Sequence, residues 1–182
     1  TETLSMLNFE EETSSAVIDP TGGYAYFAVV NDKSESHRIV KIQLSDLSRV
    51  NTLILGNPIA EGPQQRAAVI DSAGGYAYFG LGTPAKIIKI RLSDFTRVDT
   101  LNLPLLTGFL SADIDPSVGR AYFSDGTGAG HLSKIKLSNF SIEETLPLTA
   151  VGTAAAFDSS SGMIYLGTPY DPGTVVKIDC CS

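Results

Sequence analysis

Four aspartates recur at equivalent points of the sequence and form the group most able to do chemistry together. They are Asp19, Asp71, Asp115 and Asp158, which lie 52, 44 and 43 residues apart. Four carboxylates arranged around a ring could bind a cation. However, each is followed by Pro or Ser and then by Gly within four positions, and an aspartate in this context accepts hydrogen bonds from its own turn. A requirement of the fold recurs in every repeat, whereas chemistry usually occurs once. We therefore predict structural turn residues and no bound metal or organic cofactor.

Each repeat also carries one lysine and one tyrosine at a fixed position. The lysines are Lys41, Lys89, Lys134 and Lys177, and the tyrosines, each seven residues after its aspartate, are Tyr26, Tyr78, Tyr122 and Tyr165. A lysine on an interior face would need an acidic partner. Aromatic side chains can stack on sugars, but a recurring tyrosine suits a half-buried strand. We predict that the tyrosines of the recurring aromatic run, Tyr24, Tyr26, Tyr76, Tyr78 and Tyr122, belong to the core.

Catalysis has little support in the sequence. His37 and His131 are the general-base candidates of the usual type, and they lie in different repeats. No spacing indicates a Ser-His-Asp or Cys-His arrangement. No catalytic residue is therefore predicted, and a lyase-like activity stays open as an alternative.

Two further sites concern covalent modification. Cys180 and Cys181 are adjacent, so they cannot bridge distant parts of one chain. They could form interchain disulfides, pair with another segment or remain free thiols. Asn139 begins an Asn-Phe-Ser sequon, which predicts possible N-glycosylation, although Asn139 could simply replace the turn Asp found in other repeats.

Composition limits the classes of partner. The chain has 182 residues and a net charge of −7, with a pI near 4.7. An acidic chain is a poor match for nucleic acid, whose phosphates need a basic surface. No apolar run reaches the roughly 18 residues of a membrane span. The chain begins with Thr1, which indicates either a removed signal peptide or an excerpt of a longer polypeptide. We expect an extracellular or cell-surface location.

The elements that position these residues are short strands. In the third repeat they are predicted at Leu110–Asp115, Arg120–Ser124, His131–Leu137 and Ile142–Leu148, and turn residues between them indicate a meander of hairpins. No segment has convincing helical periodicity. The prediction is one all-β domain over residues 1–182. Its repeats span approximately 8–55, 56–103, 104–148 and 149–182 plus 1–7.

The last repeat lacks a fourth strand of its own. Residues 1–7, Thr-Glu-Thr-Leu-Ser-Met-Leu, are similar to the Glu-Thr-Leu-Pro-Leu of 144–148. A strand from the N-terminus would cover an exposed edge of the last sheet. We therefore predict that residues 2–7 pair beside 174–180, in the same chain or in a neighbour.

Equivalent apolar positions in successive repeats should be buried between the sheets. They are Val17, Ile42, Ile70, Ile90, Ile114, Ile135 and Ile178.

The Asp-x-x-x-Gly-x-x-Tyr unit, followed by a Val-Lys-Ile type of strand, resembles YVTN-type and related β-propeller repeats over essentially the whole chain. The resemblance implies a β-propeller-like array of four four-stranded blades, with the N-terminal strand completing the last blade. Such repeats occur in surface-layer and adhesion proteins, in binding scaffolds and in some enzymes. Their rings usually have more than four blades. Three arrangements therefore stay open: the ring closes within one chain, two chains form eight blades, or the four repeats are part of a longer array.

Together these features favour a non-enzymatic extracellular scaffold that self-associates as a filament or surface component. The alternatives are a propeller module that binds a glycan or protein, and a lyase-like enzyme.

Overall fold

The computed structural model describes residues 2–7, 12–30, 37–56, 67–82, 84–106, 108–125, 130–148, 153–158, 160–168 and 172–179. These residues form β-strands and turns and contain no helix. The strands are β1 (Glu12–Asp19), β2 (Tyr24–Val30), β3 (His37–Gln43), β4 (Arg49–Gly56), β5 (Ala67–Asp71), β6 (Tyr76–Leu81), β7 (Lys86–Arg91), β8 (Thr96–Asn102), β9 (Ser111–Asp115), β10 (Arg120–Ser124), β11 (His131–Lys136), β12 (Ser141–Pro147), β13 (Ala154–Asp158), β14 (Met163–Gly167) and β15 (Val175–Asp179).

The strands form four antiparallel meanders, one for each repeat. We name them blade one (β1–β4), blade two (β5–β8), blade three (β9–β12) and blade four (β13–β15). The prediction of an all-β, blade-like array is therefore confirmed. The strands are rich in β-branched and aromatic residues, which favour a pleated surface packed on its faces.

The hairpin that joins the first two strands of each blade depends on a residue with positive φ. In blade one the Gly23 backbone N–H donates to the Asp19 carbonyl oxygen at 2.9 Å, and Gly23 has a φ of 76°. Glycine adopts this left-handed region without steric cost. Gly75, Gly119 and Gly162 have the same conformation at equivalent positions, so all four turns end on a left-handed glycine directly before the second strand.

The blades stack face to face, with their first strands side by side. β1 lies against β5, β5 against β9, and β9 against β13, whereas β13 and β1 have no comparable contact within the described residues. Three apolar cores fill the spaces between successive blades. The described blades therefore form an array with two open ends.

Register determines which side chains enter each core. Tyr26 lies opposite Val17 on β1 and opposite Lys41 on β3. Side chains that face each other across a sheet share one face of it. We call the face with the recurring Tyr and Lys the tyrosine–lysine face of a blade. In blades one to three this face packs against the following blade.

The predicted burial of equivalent apolar positions holds for four of the seven. Val17, Ile42, Ile90 and Ile135 are buried. Ile70, Ile114 and Ile178 are only half-buried. Val17 lies opposite Tyr26 on the tyrosine–lysine face, whereas Ile70 and Ile114 lie opposite Ala77 and Ala121 on the other face of their blades, so their positions are not equivalent to that of Val17. Ile178 lies on β15, the edge strand of the three-stranded blade four.

The predicted position of the N-terminal strand was wrong for this chain. Blade four has three strands, and residues 2–7 belong to no strand. Instead, Leu4 packs against Val29, Val40 and Ile42 on the outer face of blade one. That face has no neighbouring blade in the described chain. Packing Leu4 there removes apolar surface from water, which stabilises this position of the segment.

Candidate functional site

The four recurring aspartates all lie at the first hairpin of a blade. Asp71 Oδ1 accepts a hydrogen bond from the Gly74 backbone N–H at 2.7 Å. Asp115 Oδ1 accepts one from the Ser117 N–H at 2.9 Å. The Asp71 carboxylate lies so close to Gly74 that a Cβ there would collide with it. Such local contacts are typical of turn aspartates, and their role as structural residues stays a prediction.

Asp158 has the strongest local hydrogen bonding of the four. It accepts hydrogen bonds from Ser160 Oγ at 2.6 Å and from Ser161 Oγ at 2.5 Å. The side-chain hydrogen bond from Ser160, followed by that from Ser161, lowers the pKa of the exposed Asp158 carboxyl to about 2. Among the described residues, no three His, Cys, Asp or Glu side chains are placed to hold a metal ion together.

Two of the recurring lysines, Lys41 and Lys89, lie directly over aromatic rings. Lys41 Nζ lies 3.8 Å from the Tyr24 ring centroid, and Lys89 Nζ lies 4.1 Å from that of Tyr76. Burial lowers the pKa of both ammonium groups, and the charge of Asp19 opposes this effect at Lys41. A ring face attracts a cation. The aromatic ring therefore helps to stabilise the charge of the partly buried lysine. From the sequence, only an acidic partner was expected to do so.

The two histidines lie at the starts of β3 and β11. His37 is buried. The His131 backbone N–H donates to Asp125 Oδ1 at 2.6 Å, and His131 Nδ1 lies 3.4 Å from Asp125 Oδ2. The structure does not bring the two histidines into one site, because they belong to blades one and three.

Asn139 is exposed in the turn between β11 and β12, where its Oδ1 accepts a hydrogen bond from Ser141 Oγ at 2.9 Å. Asp46 and Asp94 accept equivalent hydrogen bonds in blades one and two. Asn139 thus occupies the position of a turn aspartate, and its glycosylation stays a prediction. Cys180 and Cys181 lie outside the described residues.

This same turn carries a residue that sequence reasoning missed. Its third position is apolar in three repeats, and Leu47, Phe95 and Phe140 adopt φ values of 54°, 52° and 50°. Positive φ is uncommon for bulky residues. We call these three the insertion residues. Their signal in the sequence is an apolar side chain that recurs within an otherwise polar turn.

Two insertion residues enter the preceding blade. The Phe95 ring lies 5.6 Å from the Tyr26 ring, and the Phe140 ring lies 5.7 Å from the Tyr78 ring. Tyr26, Tyr78 and Tyr122 are almost fully buried, which confirms that these three are core residues, whereas Tyr24 and Tyr76 are only partly buried against the cores. Burial, aided by the charge of Asp19, raises the pKa of Tyr26 to about 12. Between blades three and four, Tyr122 instead stacks on Phe157 at 4.9 Å.

The tyrosine–lysine face of blade four is open. Val175 is 71% exposed, whereas Ile39, Ile87 and Leu132 are buried at the same position in the other blades. Tyr165 is half-buried, and Lys177 Nζ lies 5.9 Å from its ring. Because no described blade follows, this face presents apolar surface to solvent.

The opposite face of blade one is open as well. Ile18 is 54% exposed and Leu44 is 42% exposed, whereas Leu92 and Leu137, which are equivalent to Leu44, are buried. Leu47 is half-buried and contacts the cluster that Leu4 partly covers. The array therefore ends in two different apolar surfaces.

One small groove lies away from both ends. It is lined by Leu103–Leu106, Ser133, Ile142 and Thr145 and has a volume of about 200 Å³. Sites for small molecules are usually larger, about 300–1,000 Å³.

The part of the chain that the structure describes contains no helix, and therefore none that could span a membrane.

No protein-family model and no curated protein match the sequence. Solved structures do match. Hydrazine synthase from Kuenenia stuttgartiensis aligns with a TM-score of 0.74 and 9% identity, covering 98% of this chain and 49% of that one. U3-55K and the WD40 repeats of RRP9 both align with a TM-score of 0.68 and 12% identity, over 96% of this chain and 53% and 52% of theirs.

These likenesses show a propeller-type fold. At sequence identities this low, structural similarity shows the fold but not the function. The chain spans about half the length of the structures it matches. The finer resemblance to YVTN-type repeats stays a prediction.

Proposed function

We propose that this chain is a non-enzymatic, extracellular scaffold that associates with copies of itself through its two open faces. The exposure of Val175 carries the proposal, because its counterparts are buried in all three internal interfaces. Contiguous exposed apolar surface marks an interaction site. The two surfaces differ, so contact between them is head-to-tail, and such contacts generate rings or filaments.

The absence of a catalytic role is part of this proposal. The aspartates engage their own turns, and His131 lies against Asp125. The groove on blade three is small and apolar. Extracellular placement rests on the Asn139 sequon, because N-glycosylation sequons are used in secreted proteins.

Sedimentation velocity over a wide range of concentrations tests the proposal. The sedimentation coefficient of the 182-residue chain should rise with concentration, and Val175→Lys should weaken this association. Leu105→Lys is a matched control, since Leu105 is 60% exposed but lies on neither open face. A monomer at every concentration, or equal loss in both variants, would overturn the proposal.

A second candidate function is glycan binding at the open face of blade four. The half-buried Tyr165 lies opposite the small Ala156, on a face that no described blade covers. An accessible aromatic ring can stack on a sugar. Tryptophan is absent from the chain, so quenching of tyrosine fluorescence by added oligosaccharides, and its loss in Tyr165→Ala, would measure such binding.

A further inference from the structure

The internal interfaces define a contact that the open faces could repeat. At each of the first two interfaces, an insertion residue packs beside a tyrosine and a lysine of the preceding blade. Phe140 lies 5.7 Å from the Tyr78 ring, and Lys89 Nζ lies 5.5 Å from the Phe140 ring. Phe95 has the same relation to Tyr26 and Lys41, at 5.6 and 5.9 Å.

Blade four has the receiving half of this contact. Tyr165 and Lys177 occupy the positions of Tyr78 and Lys89, and they lie opposite each other on β14 and β15 as the earlier pair does on β6 and β7. The exposed Val175 borders them on the same face. No insertion residue of the described chain reaches this site.

Blade one has the inserting half. Leu47 has the same left-handed backbone as Phe95 and Phe140. Its turn is held by the same hydrogen bond, from Ser48 Oγ to Asp46 Oδ1 at 2.7 Å. The exposed Ile18 and Leu44 extend the apolar surface around it. No blade precedes blade one in the described chain, so Leu47 enters no tyrosine–lysine face there.

We propose that Leu47 of one copy inserts beside Tyr165 and Lys177 of a second copy. This rests on the proposed function and specifies the contact that carries it. The partner is another copy because one chain holds both halves, one at each end, and because the internal interfaces already join the same halves. Leu4 packs against the cluster that Leu47 also contacts, so the second copy should cover Leu4.

The test is a substitution that strengthens the contact. Leu47→Phe restores the residue found in blades two and three. An aromatic pair adds favourable energy beyond its buried area, so the association constant, measured by sedimentation, should rise roughly 2- to 10-fold. Leu105→Phe is the control, since it adds the same ring at another exposed leucine, and it should change the constant less than 2-fold.

A second substitution asks whether the gain requires Tyr165. In Tyr165→Ala, Leu47→Phe should no longer strengthen association. Lys177→Ala, at an exposed position, should reduce the gain without a risk to folding. Unchanged circular dichroism would show that each variant is folded.

The outcomes separate this inference from the proposed function. If the chain associates and Val175→Lys weakens it, but Leu47→Phe has no more effect than Leu105→Phe, the contact is wrong and self-association stands. The contact is also wrong if the gain persists without Tyr165 and Lys177. A chain that stays monomeric in every variant overturns both proposals.

Discussion

The interface between blades two and three and the open face of blade four are built from the same residue types. Tyr78 and Lys89 in the first correspond to Tyr165 and Lys177 in the second, and the strands pair in the same register. Their environments differ because blade three covers one face and no described blade covers the other. Ile87 is buried, whereas its counterpart Val175 is 71% exposed.

This difference shows which features arise within one repeat and which require a neighbouring blade. The repeat alone is enough to produce the hairpins, the register and the lysine over the ring. Burial requires a neighbour, as expected of repeat arrays in which each unit is stabilised by contacts with adjacent units. An unpartnered terminal face is therefore the part of such an array most open to a new contact.

Removing an insertion residue from an internal interface should have the largest effect. Phe140 is buried against Tyr78, so Phe140→Ala should lower the free energy of unfolding by about 3–5 kcal/mol. Leu47→Ala, at the half-buried equivalent position, should cost only about 1 kcal/mol at low protein concentration. Urea denaturation of both variants measures the contrast, and equal losses would mean that the covering blade does not matter.

The second contrast compares equivalent positions on the third strands. Ile87→Ala should cost about 2–5 kcal/mol, because it removes a fully buried side chain. Val175→Ala should change the free energy of unfolding by less than about 0.5 kcal/mol, as expected at an exposed site. A loss above about 1.5 kcal/mol at Val175 would show that this face is covered in solution.

The agreement between sequence and structure is good wherever short-range signals decide. In the third repeat, the predicted strand Arg120–Ser124 matches the observed one, β9 and β11 each differ by one residue at one end, and β12 differs by one residue at both ends. Turn residues and alternation fix such boundaries locally. The tyrosine core was likewise predictable, because an aromatic that recurs on a strand needs a packed surface.

Other features depend on packing between distant segments. The Thr-Leu pattern of residues 3–4 resembles a fourth strand, yet Leu4 covers blade one. A short pattern does not show which of two open apolar surfaces an extended segment will cover. The role of the insertion residues could not be predicted either. A turn sequence does not show which blade its apolar side chain will contact.

The N-terminal segment gives a smaller test of the open ends. Leu4 is half-buried on blade one, so Leu4→Ala should lower the free energy of unfolding by about 1 kcal/mol, less than the loss at a fully buried leucine. Leu105→Ala, at an exposed leucine, should cost less than about 0.5 kcal/mol. Thermal or urea unfolding measures both, and no effect at Leu4 would place residues 2–7 away from this surface.

The smallest expected effect concerns the Asp158 turn, which belongs to the end blade but depends on local contacts alone. Hydrogen bonds from Ser160 and Ser161 hold the pKa of Asp158 at about 2, below its usual value. A carboxyl whose pKa is lower in the folded state stabilises that state above its unfolded pKa, near 3.9, and this contribution fades as the pH falls towards 2. Ser160→Ala should raise the pKa of Asp158 towards its usual value, as followed by NMR titration of the carboxyl carbon.

Since the donors lie in the same turn, this pKa should not change with protein concentration, whereas the NMR signals of Tyr165 should shift as copies associate. A concentration-dependent pKa would mean that the turn is part of the contact, and the distinction between local turns and neighbour-dependent faces would then fail at blade four.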